Sequence, residues 1–456
     1  MSDPTPGIIL EARSQRVFLA QGSFAERGLL PTATPDRRML ATDIDVLVSE
    51  YGSGFHLTRR HVECKSGNFA LVDRILWLNG VRTLLRADSS YLIAADVDLA
   101  ASDFARGLDV QLFTSLHLDA WEKSIGIPSD VWPCRSDFAT FDAARLTWLR
   151  LSGDKAADDT WRFLRGALAF VEVESWLRPK YRLLNKLIRL LTELGKQFDS
   201  YDADQALFAR YLFSALLVRL SQYLLGICAD VAGIMPVDME KYLTNRLTFG
   251  DQDPTQATDL TKGTVAWVRE LLRAKDITMP ADIDAARLHT PPPYAVELVT
   301  LVRRLLDQSQ EARYLPLAAE RMQFGLDADD KLPRLRAAAG SADSLAALLK
   351  AFVARTFKLP TALTAPVHTD LAAKYQATAA ATLPAPTTAK PGAARSKWTG
   401  YHRSKEKTPP ARPQPPARPN PPSRDVPSPV NKANPSNPKS TPDQPDLLTP
   451  TPDDKG

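Results

Sequence analysis

The sequence predicts an α/β domain built on a mixed sheet flanked by helices, then an all-α region, then a Pro-rich tail. Three observations predict it. Short β-rich runs with two-residue alternation are confined to the first quarter of the 456-residue chain. Apolar residues recur at helical spacing through most of residues 130–375. After about residue 380 no periodic apolar pattern remains. The expected boundaries are 8–127 for the α/β domain, 130–375 for the helical domain and 380–456 for the tail.

In the first region, residues 14–27 read as a helix that stops at Gly28. Two strands come next, 43–50 (DIDVLVSE) and 55–64 (FHLTRRHVEC), joined by the turn Tyr51-Gly52-Ser53-Gly54. Residues 72–85 form a helix by spacing, 90–94 (SYLIA) a short buried strand, 98–106 a helix ending at Gly107, and 110–113 another strand. The expected order is α-β-β-α-β-α-β, with a hairpin feeding a crossover helix.

The middle region reads as a bundle. Leu183, Leu184, Leu187, Ile188, Leu190, Leu191 and Leu194 share one face of a helix over 178–198, with Pro179 at its first turn. Residues 204–231 carry a wider apolar arc and should lie at the centre. Arg210, Arg219 and Asp230 interrupt this stretch, so it reads as a buried helix rather than a membrane span. Further helices are expected at 137–151, 157–176, 260–274, 293–308, 315–325 and 341–357. The basic face of Arg178, Lys180, Arg182, Lys186 and Arg189 reads as solvated surface.

The tail holds much of the chain's 36 prolines, and its composition predicts a disordered, locally polyproline-like segment. From Lys390 onward there are twelve Lys/Arg and six Asp/Glu, a balance of +6 within a total of +4. The rest is therefore close to neutral, and net charge says little about nucleic-acid binding. Cys64, Cys134 and Cys228 lie far apart with no CxxC, so neither a disulfide framework nor a zinc spacing is visible. The N-terminus has no basic segment followed by an apolar run, and a cytoplasmic setting without membrane attachment is expected. Phosphate-loop, dinucleotide-binding, HExxH and GxSxG patterns are absent.

The chemistry concentrates on the hairpin. On the first strand Asp43, Asp45 and Leu47 share a face; on the second, His61, Glu63 and Lys65 do. Two polar rows can therefore meet across otherwise apolar strands. Acids there are costly unless paired or bound to metal. Mg²⁺, which takes hard oxygen ligands, suits Asp45, Glu63 and the carbonyl of Cys64. Lys65 is placed to orient or deprotonate an attacking water and to stabilise charge on a phosphate. The bland alternative is a strand-end salt bridge among Glu63, Lys65 and Asp45. Asp43 reads equally as a second acid or an exposed strand-end charge. His56 and His61 read as surface histidines, and Asp73 and Arg74 as ordinary first-turn residues.

Asp45 followed by Glu63-Cys64-Lys65 resembles the Asp…Glu-x-Lys core of the PD-(D/E)xK nuclease superfamily. TDIDVLV (42–48), HVECKS (61–66), DRILWLNGV (73–81), SYLIA (90–94) and FARGLDVQL (104–112) resemble its Mrr-like and related branches. Ile44 stands where that pattern has Pro. The resemblance covers about a quarter of the chain and implies a restriction-endonuclease-like fold. It also implies Mg²⁺- (or Mn²⁺-) dependent phosphodiester hydrolysis, usually of DNA, with Asp45 and Glu63 as metal ligands and Lys65 as catalytic lysine. Many members add a Glu from the first helix; Glu11 and Glu26 are the candidates, with Glu26 preferred. Microbial defence or DNA processing would suit such an enzyme, and the helical domain would select substrate or hold a partner protein. The alternative is a catalytically silent nuclease-like scaffold that binds nucleic acid or a partner through its helical domain.

Overall fold

In a computed structural model, the structure describes residues 6–31, 42–67, 69–95, 97–173, 180–250, 252–277, 289–325 and 331–380. The expected tail, from 381 on, lies outside the described residues, as do Arg178 and Pro179.

The first region is a five-stranded mixed sheet in sequential order: β1 (Phe24–Leu29), β2 (Ile44–Tyr51), β3 (Leu57–Lys65), β4 (Ser89–Ala94) and β5 (Val110–Thr114). β1–β2 and β2–β3 pair antiparallel; β3–β4 and β4–β5 pair parallel. Parallel pairs need crossovers. These are α2 (Leu71–Leu85) and α3 (Leu99–Arg106), while α1 (Pro6–Ala20) precedes the sheet and α4 (Ser115–Ser124) comes after it. Asp98 caps α3, its side chain accepting from the Ala101 amide at 2.6 Å. Thr114 and His117 form a capping box on α4.

The strand alternation sorts the two faces. Val46, Val48, Val62, Cys64 and Ile93 pack with Leu10, Val17 and Phe18 of α1 and Leu118 of α4. On the other face Leu92 packs with Ile75 and Leu78 of α2, and Leu47 with Val81 and Leu85 of the same helix.

The expected first helix is corrected. It begins earlier and ends at Ala20, and β1 takes up residues expected in its last turns. Gly22 makes the break: its φ is +89°, and a Cβ there would sit 3.0 Å from the Cβ of Ala338. Glu26 is thus on a strand at the sheet edge, not on a helix.

The rest is helical: α5 (Phe138–Asp154), α6 (Asp159–Glu172), α7 (Lys180–Gln197), α8 (Ala203–Val231), α9 (Pro236–Phe249), α10 (Pro254–Arg273), α11 (Ala295–Asp307), α12 (Ser309–Ala312), α13 (Leu315–Phe324), α14 (Pro333–Ser341), α15 (Asp343–Thr356), α16 (Thr361–Thr364) and α17 (His368–Ala380). α8 is long and apolar enough to cross a membrane by length and composition, but 89% of its apolar window is buried inside the bundle. Asp202 and Gln205 box its N-terminus. Trp148 of α5 stacks on Phe208 of α8 with ring centroids 4.6 Å apart.

Sheet and bundle share their cores. Phe24, Tyr51 and Phe55 of the sheet region belong to the bundle's apolar cluster. Leu335 and Ala339 of α14, more than 300 residues downstream of α1, complete the α1 layer of the sheet. The described chain through α17 therefore lies within one compact unit.

Candidate functional site

The site forms where the β2–β3 pairing ends. The last paired residues are Val46 and Val62. Beyond them Asp45 leaves the ladder and its side chain takes over a backbone role: Oδ2 accepts the Cys64 N–H at 2.7 Å. Asp45 and Glu63 are buried, and Lys65 is half-buried at the rim. Lys65 Nζ stands between the acids, 2.5 Å from Glu63 Oε1 and 3.6 Å from Asp45 Oδ2. The three residues singled out from the sequence are brought together.

Other groups complete the site. Arg74, in the first turn of α2, pairs with the same Glu63 Oε1 and lies over the Trp77 ring, its Cζ 3.6 Å from the centroid. Its reading as an ordinary first-turn residue is corrected. Glu11 of α1 is the third acid. Burial, then Asp45 and Asp43, push its carboxyl up to about 8, with Arg27 opposing. Burial also raises Asp45, against Lys65 and the Cys64 amide. Asp43, exposed just ahead of β2, is raised by partial desolvation of its carboxyl, against Lys65, Arg145 and Arg74. Asp45 and Asp43 are thus held above their ordinary range despite Lys65, and Glu11 despite Arg27.

The surface position expected for His61 is also corrected. It is fully buried on the α2 face, 3.8 Å from Glu63 (Nε2 to Oε2). Burial, then Arg74 and Lys65, push its imidazole down to about 3. His56 is exposed on the hairpin turn. Cys64 turns its thiol toward α1, with Sγ 3.3 Å from Ser14 Oγ, and burial raises it well above the ordinary range. The thiol is thus taken up by its packing against α1, leaving only the carbonyl for the ligand role read from sequence.

Glu26, the preferred first-helix acid, is corrected by its partners. Its carboxylate accepts from Arg219 at 3.1 and 3.2 Å, from Gln222 at 3.2 Å and from Arg135 at 3.3 Å. Arg135 in turn bridges to Glu320 at 2.7 and 2.8 Å. Glu26 therefore joins sheet to bundle, whereas the Glu11 carboxyl is raised in part by Asp45. A cavity of about 80 Å³ lies on the Glu26 side of β1, lined in part by Arg27, Arg135, Arg145 and Arg219. These cations are paired: Arg27 with Asp142 at 2.8 Å, Arg145 with Glu172 at 2.5 Å.

The signal that favours Glu11 over Glu26 is Gly22, which can end the helix before Glu26. Strand alternation puts His61 in the row of Glu63 and Lys65 but does not show its burial, and Arg74 carries no local signal; its role depends on packing. Among the described residues no group of three His, Cys, Asp or Glu side chains stands ready to hold a metal ion. No family model, no curated protein and no solved structure matches the chain.

Proposed function

We propose that the chain is a divalent-metal-dependent nuclease with a restriction-endonuclease-like domain of the PD-(D/E)xK kind, acting on DNA. The observation that carries this reading is the meeting of Asp45, Glu63 and Lys65 at the shared end of two strands. The donor set fits Mg²⁺ or Mn²⁺: the acids offer hard oxygens, and the Lys65 ammonium between two of them marks a position that favours a cation. Asp45 and Glu63 would be the ligands, with the Cys64 carbonyl as a third. Bound there, the ion would polarise the scissile phosphate and make a coordinated water more acidic.

The protein groups have their own tasks. Lys65, half-buried at the rim, swings from Glu63 toward an incoming phosphate, holds the attacking water and offsets charge that develops on the phosphoryl oxygens. Asp45 keeps its orientation through the Cys64 amide. Arg74, stacked on Trp77, neutralises Glu63 when substrate is absent. By analogy with that superfamily, the helical region would select substrate or hold a partner protein, in a cytoplasmic defence or DNA-processing role.

A second reading, a silent nuclease-like scaffold that binds nucleic acid or a partner protein, draws on a different observation. Lys65 and Arg74 both occupy Glu63 Oε1, which is how a purely structural ion cluster would look.

The test is cleavage of plasmid, single-stranded DNA and RNA by purified protein with Mg²⁺ or Mn²⁺, with EDTA as control. Cutting that needs metal and disappears in Glu63→Ala and Lys65→Ala supports the enzyme. Absence of both cutting and calorimetric metal binding would leave the scaffold.

A further inference from the structure

Three buried polar groups lie side by side on the α2 face of the sheet. Ser90, His61 and Glu63 are each fully buried, at 0% exposure. His61 and Ser90 are direct partners in the parallel β3–β4 register, so their side chains leave the same face next to each other. Glu63 stands two residues further along β3. Among the described residues, four of their atoms have no hydrogen-bond partner: Ser90 Oγ, His61 Nδ1, His61 Nε2 and Glu63 Oε2. One such orphan costs about 1–3 kcal/mol. Four in a row, on neighbouring side chains, call for a common account.

We propose that Ser90, His61 and Glu63 form a buried hydrogen-bond chain that fixes the Glu63 carboxylate, making His61 and Ser90 positioning residues of the candidate site. The donors and acceptors match in one order. The Ser90 hydroxyl donates to His61 Nδ1, and His61 Nε2–H donates to Glu63 Oε2, the pair already 3.8 Å apart. A shift of about 1 Å closes that gap to hydrogen-bond length. The chain uses only Oε2. Oε1, the oxygen toward Lys65 and Arg74, keeps its lone pairs for a cation. Carboxylates that ligate metals are commonly held in this way by outer partners, and losing such a partner costs about 10- to 100-fold in affinity.

Ser90 is not a nucleophile here despite the Ser-His-Glu composition. Its hydroxyl is closed off from solvent, and the imidazole that would activate it is turned toward Glu63. Trp77 walls the ring from α2, with centroids 6.2 Å apart.

The value of the chain to catalysis rests on the nuclease reading, whereas the chain itself can be observed without it. Full-length protein labelled with ¹⁵N-histidine would be compared with His61→Phe to assign the His61 signals. A neutral ring protonated at Nε2, with the Nδ1 signal moved by Ser90→Ala, is the expected result. A ring protonated at Nδ1, or one insensitive to Ser90→Ala, would overturn the chain. Mn²⁺ calorimetry then tests its role. His61→Phe should lose about tenfold or more in affinity, and His61→Gln, which can still donate to Oε2, should recover most of it. Wild-type affinity in a folded His61→Phe would refute the positioning role. If the wild type binds no Mn²⁺, the nuclease reading and the positioning role fall together, and the spectrum still decides the chain.

Discussion

Glu26 and Glu63 are both buried carboxylates on the sheet, and they live in opposite circumstances. Glu26, on β1, accepts from two arginines and a glutamine, and both of its oxygens are occupied. Glu63, on β3, has both cations crowded on Oε1 while Oε2 has no hydrogen-bond partner among the described residues. A buried ion pair with every lone pair met is an arrangement that holds elements together. A buried acid that shares one oxygen between two cations, one of them a half-buried lysine at the rim, is one in which charge can be rearranged. Burial and charge alone therefore do not mark a site. The arrangement of the partners does: Glu26 has donors on both oxygens and joins β1 to α8, whereas Glu63 holds both of its cations on the oxygen toward the rim.

Four outcomes test the contrast between these two carboxylates. The largest concerns Lys65→Ala. Under the nuclease reading, metal-dependent DNA cleavage falls by roughly 10³-fold, in the range seen when a transition-state charge partner is removed. Stability stays near wild type, because Arg74 still covers Glu63. A gel-based rate assay beside a thermal melt separates the two, and a variant that melts early but cuts normally would reverse the roles assigned here.

Arg219→Ala should do the opposite. It strips Glu26 of its main partner in the interior, which costs about 3–5 kcal/mol. Denaturant midpoints read this directly, and cleavage per folded molecule should be unchanged. If Arg219→Ala were silent in stability, the joint between sheet and bundle would lie elsewhere.

The third outcome concerns pH in the absence of metal. The carboxyl of Glu11 is pushed from 4.5 up to about 8 in the folded chain. Below about 4.5 both states are protonated. Between 4.5 and about 8 the folded state holds a proton that the unfolded state has lost. Stability from this group is therefore full at low pH, declines as pH rises through that window, and levels off above it. Glu11→Gln removes the decline, so its melting advantage over wild type should grow from about pH 5 to about pH 9. A constant difference would mean that Glu11 titrates as an ordinary surface acid.

The smallest effect is expected at Asp109→Asn. Asp109 pairs with Arg82 at 2.9 Å but is 73% exposed and belongs to neither cluster. Its φ of +53° is one that Asn tolerates well. A change within about 0.5 kcal/mol is expected by chemical denaturation. A larger loss would show that ion pairs far from both clusters also carry the fold, and would blunt the contrast.

Much of the helical region is legible in the sequence because buried helices must repeat their apolar residues every three or four positions. The expected helix over 204–231 corresponds to α8 and that over 293–308 to α11, each within two residues at either end. Periodicity does not reveal α4, α9, α14 and α17, which bury few residues or are nearly polar all round. β1 is hidden because FAERGL does not alternate cleanly: Phe24 and Ala25 are both buried, on an edge strand that packs partly against the bundle. The domain edge expected near 127–130 falls between α4 and α5, yet helices beyond it complete the sheet's layers. Sequence distance hides that completion.

For the candidate site the division is physical. Strand alternation by itself puts Asp45, Glu63 and Lys65 on facing rows, because side chains at two-residue spacing must share a side of the pleat. Glu11 falls before the helix expected over 14–27, and only the structure extends α1 back to include it. Packing alone settles which buried charges meet which. Arg219 reaches Glu26 from 193 residues away, Arg135 reaches Glu320 across 185, and Arg74 turns in to Glu63 because α2 docks its first turn over the strand end. The sequence determines which faces must be buried; it does not determine which charges end up buried together, since that depends on how separate faces pack.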